Sequence, residues 1–396
     1  MARSDWDQWI QSAKEVDPLV VAQALGVHLK RGGTNEWIGP CPACGGRDRF
    51  SINTRKKVFN CRSLGEGGDI IAMVEHATGC SFLESIEQIT GTPRPDRTRD
   101  ETMQERADRI KRNAVRQDAL REREVADRRE EAARARQDEE MVAAVIRRAV
   151  PIEGTHAEAY MRQARGIVPQ KRYTQDLRFV ADLDYWGAGD NGSGDLIKLA
   201  VLPALIALIR DWAGAVIGIA QTYLDPVEPR KWRPTGGPHN SPKKIRGDKK
   251  GGMIRLGMMG ETLALAEGWE NALSWHQLGH ALQVEDLSLG AAVDLGNLSG
   301  KATGQTPHKL LKGADGKPRR IQNGKPNPES PGVIIPDGVK RIIILGDNTS
   351  EIFATTANVH TAVERFLSHG LEVCLHWAPH QRDWNDQLLL EPGSAG

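Results

Sequence analysis

The chain has almost no net charge: 53 Lys and Arg against 52 Asp and Glu leave +1 over 396 residues. That excludes a global polyelectrolyte signal for nucleic acid, so any binding face must come from local segregation of charge. Long apolar runs are also missing. The amino-terminal stretch MARSDWDQWIQSAKEVD has no apolar signal core, and the most apolar segment, Leu196 to Ala220, is broken by Lys198, Arg210 and Asp211. No membrane span is expected, and a cytoplasmic protein follows. Cysteine is scarce. There are five, three of them clustered, which in a chain of this size points to metal rather than a disulfide framework. A phosphate loop of the G-x-x-x-x-G-K-[ST] type is absent, since GADGKP (313–318) fails in spacing and final residue, and no fused helicase motor is expected. The length allows two or three domains.

The carboxy-terminal part contains two strand–turn–helix units with an acid at each turn. In the first, a strand over Thr262 to Ala266 runs into Glu267-Gly268 and then a helix through Ala272, Leu273 and Trp275. In the second, the apolar run RIIILG stops at Asp347, a helix follows from Thr355 to His369, and LEVCLH is another strand. Beyond it, Asp383 and Asp386 lie three residues apart in DWND. Ligand chemistry in open α/β sheets gathers outside the carboxyl ends of the strands, where these acids would stand. A carboxylate cluster there is a candidate site for a divalent cation, because hard cations take oxygen ligands.

Near the other end, Asp17-Pro18 predicts a helix start, with a capping side chain and proline at the first helical position. The cysteines then follow as Cys41-x2-Cys44, sixteen residues, and Cys61. Paired zinc knuckles on a small ribbon have this spacing, each knuckle supplying two thiolates to one tetrahedral ion. The fourth ligand belongs at position 64, which is Leu64. His76 and Cys80 are the nearest replacements, although Cys80 reads first as a small buried apolar residue between two helices. A three-ligand site and a metal-free ribbon are the other options. The linker opens with TPRPD (92–96), which breaks the chain, and then comes a run of Arg, Glu, Asp, Gln and Ala without Gly or Pro, predicting a charged, solvated helix. The middle region reads as a helix ending at Gly166, then strands, two of them joined by a tight turn at Asp211 to Gly214, then a basic stretch.

The run EGWENALS, the strand ending in Gly-Asp and the DWND cluster together resemble the Toprim domain. That domain is the metal-dependent catalytic module of DnaG-type primases, topoisomerases and related nucleases. GEGGDIIAMVEHATGCSFLESIEQITG resembles the segment after the last cysteine of the zinc-binding domain of DnaG-type primases, and the middle region is similar in order to what precedes Toprim in phage and mobile-element primase-like proteins. The resemblance implies that Glu267 acts as general acid or base and that Asp347 is the first aspartate of the Mg²⁺- or Mn²⁺-holding pair. The second position is Thr349, with Glu351, Asp383 and Asp386 available to complete the site. It implies zinc on Cys41, Cys44 and Cys61, and a ribbon that contacts single-stranded template. Arg47, Arg49, Arg55, Lys56, Lys57 and Arg62 would meet phosphates there, with Trp37 or Phe50 as a stacking surface, although Phe50 also reads as ribbon core. Lys231, Arg233, Lys243, Lys244 and Arg246 would border the catalytic cleft and bind template phosphates or the triphosphate of an incoming nucleotide.

The expected architecture is therefore an α+β multidomain chain. Residues 1–91 form a zinc-ribbon β domain, 92–149 a charged helical linker, and 150–258 the amino-terminal part of a primase-like core. Residues 259–396 form an α/β Toprim domain with a parallel sheet and a surface insertion, read as a loop, over about 300–335. The expected function is a DNA primase that makes short RNA primers on single-stranded DNA by metal-dependent nucleotidyl transfer, alongside a separate replicative helicase. Thr349 and Leu64 leave open a catalytically weakened, single-stranded-DNA-binding accessory protein. A Toprim nuclease is the other alternative.

Overall fold

The computed structural model describes residues 3–32, 35–95, 132–188, 196–234, 241–312, 318–330, 332–349 and 352–391, with four single positions between 96 and 131. The chain divides into two compact units, Met1–Arg134 and Ala135–Gly396. Most of the expected linker falls outside the described residues, although residues 132–148 are helical.

The first unit opens with α1 (Arg3–Lys14) and α2 (Pro18–Ala24). Asp17 caps α2 by accepting the Leu19 N–H at 2.8 Å, with Pro18 in the first turn. Strands β1 (Lys30–Arg31), β2 (Glu36–Cys41), β3 (Gly45–Asn53), β4 (Val58–Cys61) and β5 (Glu66–Gly68) form an antiparallel sheet in chain order. Helices α3 (Ile70–Thr78) and α4 (Phe82–Thr90) follow. Asp69 caps α3 by accepting two backbone N–H groups at 3.1 Å, and Gly79, at φ 72°, ends it. A left-handed residue at this position favours glycine because a side chain would crowd the following carbonyl. Trp9, Phe50, Ile52, Phe59, Ile71 and Ile86 lie in the shared core.

In the second unit, α5 (132–148) leads into β6 (Val150–Pro151), α6 (His156–Ala159) and a π turn over Tyr160–Ala164. Strands β7 (Leu177–Ala188), β8 (Leu196–Arg210), β9 (Val216–Tyr223), β10 (Lys243–Gly247) and β11 (Met253–Leu256) come next. Then follow β12 (Thr262–Ala266), α7 (Trp269–Trp275), β13 (Leu287–Ala291), α8 (Leu295–Ser299) and a hairpin of β14 (Gln305–Lys312) and β15 (Pro318–Gln322). The chain closes with β16 (Arg341–Gly346), α9 (Ile352–Ser368), β17 (Glu372–Trp377) and α10 (Trp384–Leu390). The long path through the ten-stranded sheet runs β10-β9-β8-β11-β13-β12-β16-β17, with β7 on β8 and β6 on β7. Strands β13, β12, β16 and β17 are parallel, whereas β11 joins β13 antiparallel.

The apolar runs of β12 and β16 are continuous because the parallel sheet is covered on both faces. Leu263, Leu265, Ile342 and Ile344 pack with Val359, Ala362 and Phe366 of α9. Their neighbours Ala264, Ala266, Ile343 and Leu345 pack with α7 and α10. The insertion differs from the expected loop: β14 and β15 pair antiparallel as a separate two-stranded ribbon, largely exposed. Among the described residues no helix is long and apolar enough to cross a membrane.

Candidate metal centre and strand-end acidic site

In the first unit the three expected cysteines converge. Cys44 Sγ lies 3.6 Å from Cys61 Sγ, and Cys41 Sγ interacts with both. Each knuckle aims backbone N–H groups at a sulfur: those of Ala43 and Cys44 at Cys41, and those of Ser63 and Leu64 at Cys61. Position 64 therefore keeps the knuckle's backbone even though its side chain is half exposed. Burial pushes the Cys41 thiol up to about 11, against the pull of its backbone donors. His76 Nε2 comes within 3.1 Å of Cys41 Sγ, and the ligand atoms of Cys41, Cys61 and His76 lie within 4.8 Å of one another. Cys41, Cys61 and His76 at this spacing, with Cys44 beside the two other sulfurs, are a donor set suited to zinc. Cys80 is elsewhere, between α3 and α4, where it accepts from Thr78 Oγ1 at 2.9 Å and meets Ser85 Oγ at 3.1 Å.

Of the ribbon's expected nucleic-acid contacts, Arg49, Arg55, Lys56 and Arg62 are exposed, and Lys57 donates to the Glu15 carbonyl at 3.3 Å. The Arg47 side chain lies outside the described residues. Phe50 is fully buried and stacks on Phe59 at 5.5 Å, so it is core and offers no face to a base. Trp37 is partly exposed.

In the second unit the register Ala266↔Ala291 and Ala266↔Leu345 brings the carboxyl ends of β12, β13 and β16 level. Glu267, Asp294 and Asp347 emerge there. Burial, then the charges of Asp347 and Asp294, push the Glu267 carboxyl up to about 6. Burial, with Asp386, Asp347 and Glu270 nearby, also raises Asp383. Asp347 Oδ1 accepts both the backbone N–H of Thr349, at 3.2 Å, and its hydroxyl, at 3.0 Å. Asp386 serves the first turn of α10: it accepts the Asp383 N–H at 3.2 Å while Asp383 accepts the Asp386 N–H at 2.7 Å. Glu351 lies outside the described residues.

The expected basic face is divided by the pleat of β10. Lys243 points to Glu270, with Nζ 3.1 Å from Oε2, and Lys231 Nζ meets the same oxygen at 3.0 Å. Lys244 turns away, its ammonium 4.7 Å from the centre of the Tyr185 ring, and Arg246 faces α5 at Asp138 and Met141. Successive strand residues point to opposite faces, so these four cannot share one surface. Arg233 is exposed.

Glu270, three residues after Glu267 on α7, organises a site that sequence reasoning missed. Besides the two lysines it receives Tyr160 Oη at 2.5 Å and has Arg165 Nε at 3.4 Å. Burial alone would raise its carboxyl, but Lys243, Lys231 and Arg165 outweigh that and hold it well below the usual range. Burial also pushes the Lys231 ammonium down to about 8. Three cations on one buried carboxylate leave net positive charge beside the strand-end acids. Asn385 of α10 ties the arrangement together, donating from Nδ2 to the Arg165 carbonyl at 2.7 Å and to Ser274 Oγ at 3.0 Å. The acidic residue one helical turn along EGWEN is the local signal for Glu270; nothing local marks Tyr160 or Arg165, which are over 100 residues away in sequence.

Comparison with known proteins places these sites in context. Residues 5–105 match the family described as CHC2 zinc finger, and residues 136–256 match a domain of unknown function, DUF7146. DNA primases of Listeria monocytogenes and Listeria innocua are each 33% identical over 64 residues, 16% of this chain. That match spans only 10% of the length of these curated relatives. Among solved structures, the Aquifex aeolicus primase (zinc-binding and RNA polymerase domains) aligns over 98% of this chain and 82% of its own, at 16% identity and a TM-score of 0.34. A DnaG primase catalytic domain bound to single-stranded DNA aligns over 66% of this chain and 80% of its own, at 13% identity and a TM-score of 0.37. Both likenesses are too loose to assign a fold by themselves. Cys41, Cys44 and Cys61 all lie within residues 5–105, the stretch that is similar to the CHC2 zinc finger family.

Proposed function

We propose that the protein is a primase that makes short RNA primers on single-stranded DNA from nucleoside triphosphates, its second unit containing a Toprim-type core and its first unit contacting template. What carries this reading is the pairing of Glu267, Asp347 and Asp294 at level strand ends with the Lys231–Lys243–Arg165 wall around Glu270. Burial raises Glu267 first, and the charges of Asp347 and Asp294 add to it because like charges resist joint ionisation; a divalent cation relieves that repulsion. Asp347 and Asp383 would hold Mg²⁺ or Mn²⁺, with Asp386 and Glu351, the latter outside the described residues, as further candidates. Bound there, the ion would activate the attacking 3′-hydroxyl and steady the departing pyrophosphate. Glu267, with a carboxyl near 6, is suited to take the hydroxyl proton at neutral pH. Lys243 and Lys231 neutralise triphosphate or template charge, and a separate replicative helicase supplies the opened strand.

The test is primer synthesis on single-stranded DNA with Mg²⁺ or Mn²⁺. Wild type should yield short RNA products and Glu267→Gln should lose about 10²–10⁴-fold, the usual contribution of general acid–base catalysis. A folded wild type that binds single-stranded DNA but makes no product, even with a helicase present, overturns the reading. One observation favours a weakened accessory protein instead: the Thr349 hydroxyl is engaged with Asp347 and brings no second carboxylate. Thr349→Asp discriminates, since gain of synthesis marks a decayed primase and gain of DNA cleavage a nuclease.

A further inference from the structure

We propose that His76 Nε2 is the fourth ligand of the zinc centre, taking over from position 64, and that Glu66 holds its ring in the ligating orientation. The proposal rests on the zinc-ribbon reading of the first unit and goes beyond it by moving one ligand from a knuckle onto a helix.

Four observations support it. Zinc–sulfur bonds of about 2.3 Å and zinc–nitrogen bonds of about 2.0–2.1 Å set tetrahedral ligand–ligand edges of roughly 3.4–3.8 Å. Cys44 Sγ–Cys61 Sγ, at 3.6 Å, falls on that edge, and His76 Nε2–Cys41 Sγ, at 3.1 Å, is within a few tenths of it. Secondly, the other ring nitrogen has a carboxylate partner: His76 Nδ1 lies 2.5 Å from Glu66 Oε2. Metal-bound imidazole commonly donates from its free nitrogen in this way, which fixes the tautomer and the ring angle. The β4–β5 register sets Glu66 opposite Cys61, so the sheet itself delivers the carboxylate to the site.

Thirdly, the ring is held on its faces as well. The His76 side chain is 2% exposed, and its ring lies 12° from the plane of Phe50 and 5.2 Å from Phe59. Lastly, Leu64 is exposed while its backbone N–H still points at Cys61, so the knuckle survives as a backbone turn without its own fourth side chain. A closed tetrahedron is the rule for structural zinc, and His76 closes it.

The experiment uses the full-length chain, with zinc content measured before and after a chelator challenge, and with cobalt substituted for absorption spectroscopy. Wild type should hold one zinc and give a three-thiolate, one-nitrogen cobalt spectrum. His76→Ala should release zinc to chelator that leaves wild type loaded, and adding Leu64→Cys to that variant should restore retention. His76→Cys should keep the metal and shift the cobalt bands to those of a four-thiolate site, a readout that does not depend on the alanine variant folding. Glu66→Gln should weaken affinity by about 10–100-fold. If His76→Ala retains zinc as wild type does and His76→Cys leaves the cobalt spectrum unchanged, His76 is no ligand and the ribbon binds zinc through its cysteines alone. A folded wild type that takes up neither zinc nor cobalt overturns the zinc reading together with this proposal.

Discussion

At the scale of single residues, the second unit places acids where their charges matter. Glu267 is raised to about 6 from 4.5, through burial first and then Asp347 and Asp294. An acid raised on folding weakens the native state wherever it is ionised, so the cost is absent below 4.5 and complete above about 6. Glu267→Gln should therefore raise the melting temperature of metal-free protein at pH 8 relative to wild type, and the gain should vanish at pH 4. Equal effects at both pH values would show that the Glu267 carboxyl is not raised on folding. Glu267 and Asp347 were legible in the sequence because each follows an apolar strand at its turn. Glu270 was not, since what distinguishes it is the cations around it, and Tyr160, Arg165, Lys231 and Lys243 arrive from three other segments.

At the scale of elements, the parallel strands were legible for the same reason that they are stable. Strands buried on both faces are apolar along their buried length, and Ile342 to Leu345 and Leu263 to Ala266 are. How β16 ends is a finer matter. Gly346 lies directly across from Trp377, and a Cβ there would come within 2.4 Å of the indole. Glycine lets the ring lie over the strand end immediately before Asp347. Gly346→Ala should destabilise the second unit by about 1–3 kcal/mol through overpacking, measured by denaturant titration. Adding Trp377→Ala should recover the part due to the clash, and failure to do so would place the constraint elsewhere. The basic strand β10 carries a related lesson. Lys243, Lys244 and Arg246 read as one charged stretch in the sequence, but alternation sends Lys243 to Glu270 and the other two to Tyr185 and α5.

At the scale of the whole molecule, the chain contains two compact units with separate cores. The first has a small sheet, and the free energy of metal binding in such ribbons is largely folding free energy. The second is built on ten strands and two helix-covered faces. Calorimetry should show two unfolding transitions. A zinc chelator should lower the one belonging to residues 1–134 and leave the other in place. A single transition, or one indifferent to chelation, would contradict a metal-dependent first unit.

By itself the sequence determined the zinc-knuckle spacing, the capped helices, the apolar strands and the acids at their ends. Those signals are local, because backbone periodicity, capping and knuckle geometry act over a few residues. Only the tertiary structure decided which residues complete the sites. It brought His76 and Glu66 to the cysteines through the β4–β5 register and α3, and withdrew Phe50 into the core. It also gathered three cations from distant segments onto Glu270. Such contacts depend on strand register and on which face of the pleat a side chain occupies, and sheet pairing fixes both across separations that no local pattern records.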